Sequence, residues 1–139
     1  MRTKLKAVSA GVLLLSTSLA ANAGAVVVGK DSSLSAMDAD RVKRIFLGRE
    51  TNINGANVVV LYQKDEGNRS DFENKVLGKT GADLSAYWAK LIFTGKASAP
   101  EEVTGGDTAV RTKLSGNPNA IGYVTDAGVD STVKVLFKY

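Results

Sequence analysis

The chain has 139 residues with no cysteine and no histidine, and its 18 Lys and Arg residues against 14 Asp and Glu give a net charge of +4. Without histidine or cysteine, the serine-histidine-acid and cysteine-histidine catalytic arrangements cannot be assembled, and neither can the common zinc sites. The absence of cysteine also excludes disulfides and thiol chemistry. The composition favours a protein that is not an enzyme and needs no metal and no cofactor.

The first residues have the order of a secretory signal. A basic start is followed by the uncharged apolar stretch from Ala7 to Ala20, and then by Ala21, Asn22 and Ala23, which fit a small-x-small cleavage site. An apolar stretch of this length is well short of the roughly twenty residues that a membrane-spanning helix needs. We therefore expect cleavage after Ala23, with residues 1–23 as the signal peptide and residues 24–139 as one domain.

Export changes the charge of the chain and its expected location. Removal of Arg2, Lys4 and Lys6 leaves 15 basic against 14 acidic residues, a net charge of +1 without a basic patch for nucleic acid. No later segment is apolar and long enough to span a membrane, and no cysteine is present to carry a lipid. The sequence predicts a periplasmic protein that has no membrane span after signal cleavage.

Strands and helices alternate along the predicted domain. Apolar and periodic patterns predict strands at 25–29, 58–62, 121–124 and 132–137, and helices at 36–47, 71–77, 83–93 and 108–114. A capping pattern of Ser35 and Asp38 is expected to start the first helix, and residues 94–107 are expected to form a long loop. This order predicts an α/β fold, with a mixed or mainly parallel sheet flanked by helices.

Two polar segments that follow predicted buried strands are the candidate ligand site. One contains Gly67, Asn68, Arg69 and Ser70, where glycine permits close approach of the backbone, the following helix offers free N–H groups, and arginine offers a bidentate donor for an oxyanion. The other is Ser32 and Ser33. If the two strands are parallel, their carboxyl ends face the same crevice.

Simpler interpretations of these segments stay open. Asn68 or Ser70 could merely cap the helix, and Arg69 could pair with Asp65 or Glu73 in solvent. Ser32 and Ser33 could form an ordinary turn.

Two pairs of acidic residues are nominal candidates for acid and base chemistry. They are Asp38 with Asp40 and Glu101 with Glu102. The first pair suits a helix N-terminus, and the second suits a solvated loop. A carboxylate hydrolase therefore has little support, and no catalytic residue is assigned.

Two segments resemble phosphate ABC transporter substrate-binding proteins. Residues 44–52 resemble the family's segment IFLGK.TNW, and residues 117–124 resemble its NPGAIGYV segment. Residues 76–79, 87–88 and 93–96 match its short, single-domain members, and residues 62–72 lie where the family carries its phosphate loop. The resemblance covers nearly all of the chain after residue 23.

The resemblance implies a single periplasmic-binding-protein-like lobe of class II that binds phosphate or a similar oxyanion. Of the family's phosphate loop, only Gly67 and Arg69 carry over, because this chain has Glu66, Gly67 and Asn68 where the family has Ser-Gly-Thr. An ABC permease or another periplasmic protein would be the partner, and a homodimer could complete a two-lobed site. The alternative is a non-catalytic structural or interaction module that has lost the pocket.

Overall fold

The structure, a computed structural model, describes residues 23–139. The predicted signal peptide lies outside these residues, apart from Ala23. Within residues 23–139, every helix is too short or too polar to cross a membrane.

A five-stranded sheet forms the centre of the domain. The strands, in chain order, are β1 (Gly24–Gly29), β2 (Asn52–Ile53), β3 (Ala56–Asn57), β4 (Val59–Gln63), β5 (Glu101–Val103), β6 (Ala120–Thr125) and β7 (Val133–Lys138). The large sheet has the order β5-β4-β6-β1-β7, and β2 and β3 form a separate hairpin. The hairpin turns at Asn54 and Gly55, whose φ angles of 54° and 83° suit these residue types.

Four strands of the large sheet run in one direction and β1 runs in the other. Strand β4 pairs in parallel with β5 and β6, whereas β1 pairs antiparallel with β6 and β7. The predicted mixed, mainly parallel sheet is confirmed. Because β1 opposes β4, however, the carboxyl ends of these two strands lie at opposite edges of the sheet.

Helices cover both faces of this sheet. They are α1 (Ala39–Phe46), α2 (Glu66–Phe72), α3 (Gly81–Phe93) and α4 (Gly106–Gly116). Helix α2 continues directly into a π-helical turn, Glu73–Leu77, which ends at Gly78 with a φ of 66°. A short 3-10 turn, Asp126–Gly128, separates β6 from β7.

Helix α1 begins later than its sequence pattern predicts. Its N-cap is Asp38, whose carboxylate accepts a hydrogen bond of 2.8 Å from the backbone N–H of Arg41, so the predicted cap at Ser35 is wrong. The backbone N–H of Met37 instead donates to the carbonyl oxygen of Leu136, at 3.1 Å. This bond to β7 holds the preceding segment outside the helix.

Two predicted loops contain regular structure. Residues 66–70, expected to precede a helix, form most of α2, because the helix begins at Glu66. The predicted long loop, residues 94–107, contains β5 and the start of α4. Three-residue β5 is too short to give a periodic apolar signal, so its pairing with β4 was not visible in the sequence.

Successive residues of β1 and β6 enter two different cores, one on each face of the sheet. Val26 and Val28 join the core beneath α1, α2 and α3, whereas Ala25 and Val27 join the smaller core beneath α4. This double burial explains why β1 is a continuous apolar run. Trp88 of α3 belongs to the larger core, as its position in the apolar stripe predicts.

Candidate functional site

The parallel strands β4, β5 and β6 end at the same edge of the sheet, which we call the carboxyl edge. Helix α2 begins here after β4, and α4 begins here after β5. The last residue of the chain, Tyr139, also lies here, beside α2. Ligands of open α/β sheets gather at this kind of edge.

Arg69 lies in α2 with its guanidinium already bound to two carboxylates. Its Nε donates a 2.7 Å hydrogen bond to Oε1 of Glu73, one turn further along, and its Nη1 lies 3.5 Å from Oε1 of Glu102 on β5. The bond to Glu73 raises the pKa of Arg69 above its ordinary value. The pairing with Glu73, which the sequence left open, is therefore present, and Arg69 is a neutralised cation.

The side-chain amide of Asn68, the residue before Arg69, has a hydrogen-bond partner for its oxygen but none for its nitrogen. Its Oδ1 accepts a 3.0 Å hydrogen bond from the hydroxyl of Tyr139, but its Nδ2 is buried without a hydrogen-bond partner. Among residues 23–139, only one other buried side-chain nitrogen lacks a partner, Nε1 of Trp88 in the core. Buried donors without partners are uncommon in folded proteins, but Nδ2 of Asn68 is enclosed by protein atoms and is not open to solvent.

Gly67 and Ser70 leave the surface of α2 open. A Cβ atom added to Gly67 would meet no other heavy atom within 4 Å. Ser70 is exposed, and its carbonyl oxygen accepts a 2.9 Å hydrogen bond from Nδ2 of Asn74. Asp65, the N-cap of α2, makes no side-chain hydrogen bond to the helix, so neither Asn68 nor Ser70 nor Asp65 caps α2.

A second polar network at the carboxyl edge is fully paired. Nε2 of Gln63 donates to Oδ1 of Asp107 at 2.9 Å and to the carbonyl oxygen of Tyr123 at 2.8 Å. Asp107 also accepts hydrogen bonds from the backbone N–H and the hydroxyl of Thr125. This network ties the start of α4 to β4 and β6, and it engages both carboxylate oxygens of Asp107.

The predicted pair Ser32 and Ser33 lies at the other edge of the sheet. The Oγ of buried Ser32 accepts a 3.2 Å hydrogen bond from the N–H of Leu34, and its carbonyl oxygen accepts one of 2.6 Å from Nζ of Lys134. Ser33 is exposed. The structure therefore does not bring Ser32 and Ser33 together with residues 67–70, because β1 runs against β4.

Sequence reasoning missed the groups that surround Arg69. The sequence predicts Glu102 to be a solvated loop acid, but it lies on β5 opposite Tyr62 of β4, with its carboxylate 3.5 Å from Nη1 of Arg69. Tyr139 has no neighbouring motif that could have indicated its contact with Asn68. Within residues 23–139, no group of three or more acidic side chains is arranged to hold a metal ion.

No family model and no curated protein matches the chain. Several solved structures share its fold. A protein from Clostridium perfringens, assigned as a phosphate ABC transporter substrate-binding protein and solved with bound phosphate, is 22% identical with a TM-score of 0.64, over 83% of this chain and 44% of that one. An ABC-type phosphate transport receptor from Vibrio cholerae is 20% identical with a TM-score of 0.66, over 83% of this chain and 45% of the receptor.

The third structure, PstS from Borrelia burgdorferi, is 15% identical with a TM-score of 0.58, over 83% of this chain and 46% of PstS. The chain thus shares the fold of part of these phosphate-transport proteins, as the sequence resemblance predicts. The chain spans less than half the length of each of the three proteins. The similarity therefore describes the fold and not the ligand.

Proposed function

We propose that the chain is a periplasmic, non-enzymatic solute-binding protein that binds phosphate or a similar oxyanion at the start of α2. The observation that carries the proposal is the side chain of Arg69, which is 29% exposed at the carboxyl edge and offers N–H donors to an oxyanion. Open space beside Gly67 gives an anion access to the helix backbone. The ligand class is proposed by analogy with the solved phosphate-transport proteins that share the fold, one of which has bound phosphate.

The same geometry sets the expected affinity. Glu73 and Glu102 compete with any anion for Arg69, and a single lobe leaves the anion partly in water. We therefore expect weak binding, with a dissociation constant of about 1 mM, which corresponds to a binding free energy of about −4 kcal/mol. Ser32 and Ser33 follow β1 at the opposite edge of the sheet, so the site proposed at α2 does not include them.

The test is thermal unfolding of the purified protein in phosphate, sulfate or chloride at matched ionic strength. A specific ligand at a hundredfold excess over its dissociation constant adds about 2.7 kcal/mol to the free energy of unfolding. Phosphate should stabilise the wild type, and Arg69→Gln should abolish that effect. The control is Arg49→Gln, because Arg49 is exposed and has no carboxylate within ion-pair distance among residues 23–139.

A specific observation also favours a second candidate, the interaction module. Arg69 is neutralised by two carboxylates of its own chain, as expected of a site that no longer needs a ligand. In that case the three salts would give the same stability at equal ionic strength. An equal response of Arg69→Gln and Arg49→Gln to phosphate would likewise contradict binding at α2.

A further inference from the structure

Helix α3 is apolar on its outer side as well as on its inner side. Leu84 and Trp88 are buried against the core, as the inner stripe predicts. On the opposite side, Phe93 is 92% exposed. Ile92, one turn after Trp88, is 48% exposed at the border of the inner side, and these two are the most exposed large apolar residues among residues 23–139. An almost fully exposed phenylalanine ring is apolar surface that a partner can cover.

The exposed side forms a regular seam rather than an isolated apolar residue. Ala82, Ala86 and Ala89 are exposed and precede Phe93 at helical spacing, so the four residues share one face of α3. The three alanines are small enough for another helix to approach closely. Phe93 at the end of the seam is large enough to cover an alanine on a facing helix.

The charges on one flank of this seam identify the partner. Asp83 and Lys90 are exposed, lie two turns apart on the same flank, and have no ion-pair partner within residues 23–139. When two copies of α3 pack antiparallel about a two-fold axis, Asp83 of each copy faces Lys90 of the other. The same arrangement places Ala82 opposite Phe93 and Ala86 opposite Ala89. The pattern is therefore complementary to itself.

We infer that this face binds a second copy of the chain through an antiparallel α3 pair. The interface consists of the seam of alanines and Phe93, together with two ion pairs between Asp83 of one copy and Lys90 of the other. A helix of 13 residues is only about 20 Å long, so the pair is smaller than the interfaces of permanent dimers. The dimer is accordingly weak and reversible, and it does not depend on oxyanion binding.

The test is sedimentation equilibrium of the purified protein at concentrations up to about 1 mM. The wild type should associate to a dimer. Phe93→Ser should weaken association about a hundredfold, because each dimer loses two covered rings. Since Phe93 is almost fully exposed in the monomer, its thermal unfolding should stay unchanged, which separates lost association from lost folding.

Charge exchange gives the sharper test. Asp83→Lys alone and Lys90→Glu alone should each weaken self-association, because like charges then face each other across the pair. An equimolar mixture of these two variants should form a heterodimer, and the double variant should dimerise like the wild type. Lys30→Glu, the same charge change at the exposed residue that follows β1, is the control that should have no effect.

Either of two results would overturn the inference. One is a wild type that stays monomeric throughout the concentration range. The other is a dimer that tolerates Phe93→Ser or shows no pairing between the two charge variants.

Discussion

If Arg69 binds an anion, Glu102 must weaken that binding, and its removal should strengthen it. The Glu102 carboxylate lies 3.5 Å from Nη1 of Arg69 and is 53% exposed, so Glu102→Gln should lower the free energy of unfolding by less than about 1 kcal/mol. Glu73 is less suitable for this test, because its side chain is buried and its loss would disturb α2.

The gain in affinity follows from the charge that is removed. Two unit charges about 4 Å apart in water interact with about 1 kcal/mol, and phosphate carries between one and two negative charges. Screening by salt at about 0.1 M keeps the repulsion between phosphate and Glu102 at about the 1 kcal/mol expected for a single negative charge. Glu102→Gln should therefore bind phosphate about fivefold more tightly than the wild type.

The assay is the phosphate-dependent rise in unfolding temperature, titrated to saturation for each variant. Glu101→Gln is the matched control, because Glu101 is the adjacent exposed acid and pairs with Lys113 instead of Arg69. Equal phosphate affinities for Glu102→Gln and Glu101→Gln would refute the reasoning, since only the total charge would then matter.

Two further predictions concern stability. Gly67→Ala should raise the free energy of unfolding by about 0.5 to 1 kcal/mol in urea denaturation, because Gly67 is helical and its surroundings are open; a loss of stability would contradict this. Burial raises the pKa of Tyr62 and Tyr123, so both stay protonated in the folded protein while unfolded tyrosine ionises near pH 10. The free energy of unfolding should thus fall as pH rises above about 10, by about 1.4 kcal/mol per pH unit for each tyrosine. Urea denaturation at each pH, together with the ultraviolet absorbance of ionised tyrosine, would check this.

Most elements could be predicted from sequence because their signals are local. The stripe of Leu84, Trp88 and their neighbours indicated α3, and the unbroken apolar run of β1 indicated a strand buried on both faces. The direction of β1 could not be predicted, since an apolar run has no information about which neighbour it pairs with. Because the direction of β1 was not predictable, the sequence could not show that Ser32 and Ser33 lie at the opposite edge of the sheet from residues 67–70.

The chemistry around Arg69 was only partly predictable for a similar reason. Its bond to Glu73 joins residues one helical turn apart, and such pairs are readable once a helix is assumed. Its contact with Glu102 depends on the pairing of β5 with β4, and the bond from Tyr139 to Asn68 depends on where β7 ends. Both contacts join distant segments through the sheet, so local patterns could not indicate them.

The position of β1 makes the order of synthesis important for this domain. The strand is made before its neighbours, yet it pairs with β6 and β7, so that Gly24 meets Thr125 and Ala25 meets Lys138. Until those residues have left the ribosome, its valines have no partner in the sheet and must stay exposed or be held by other proteins. Such distant pairing also slows folding. The late completion of the sheet therefore lengthens the period in which the newly made chain is unfolded, a state that would suit the export that we propose.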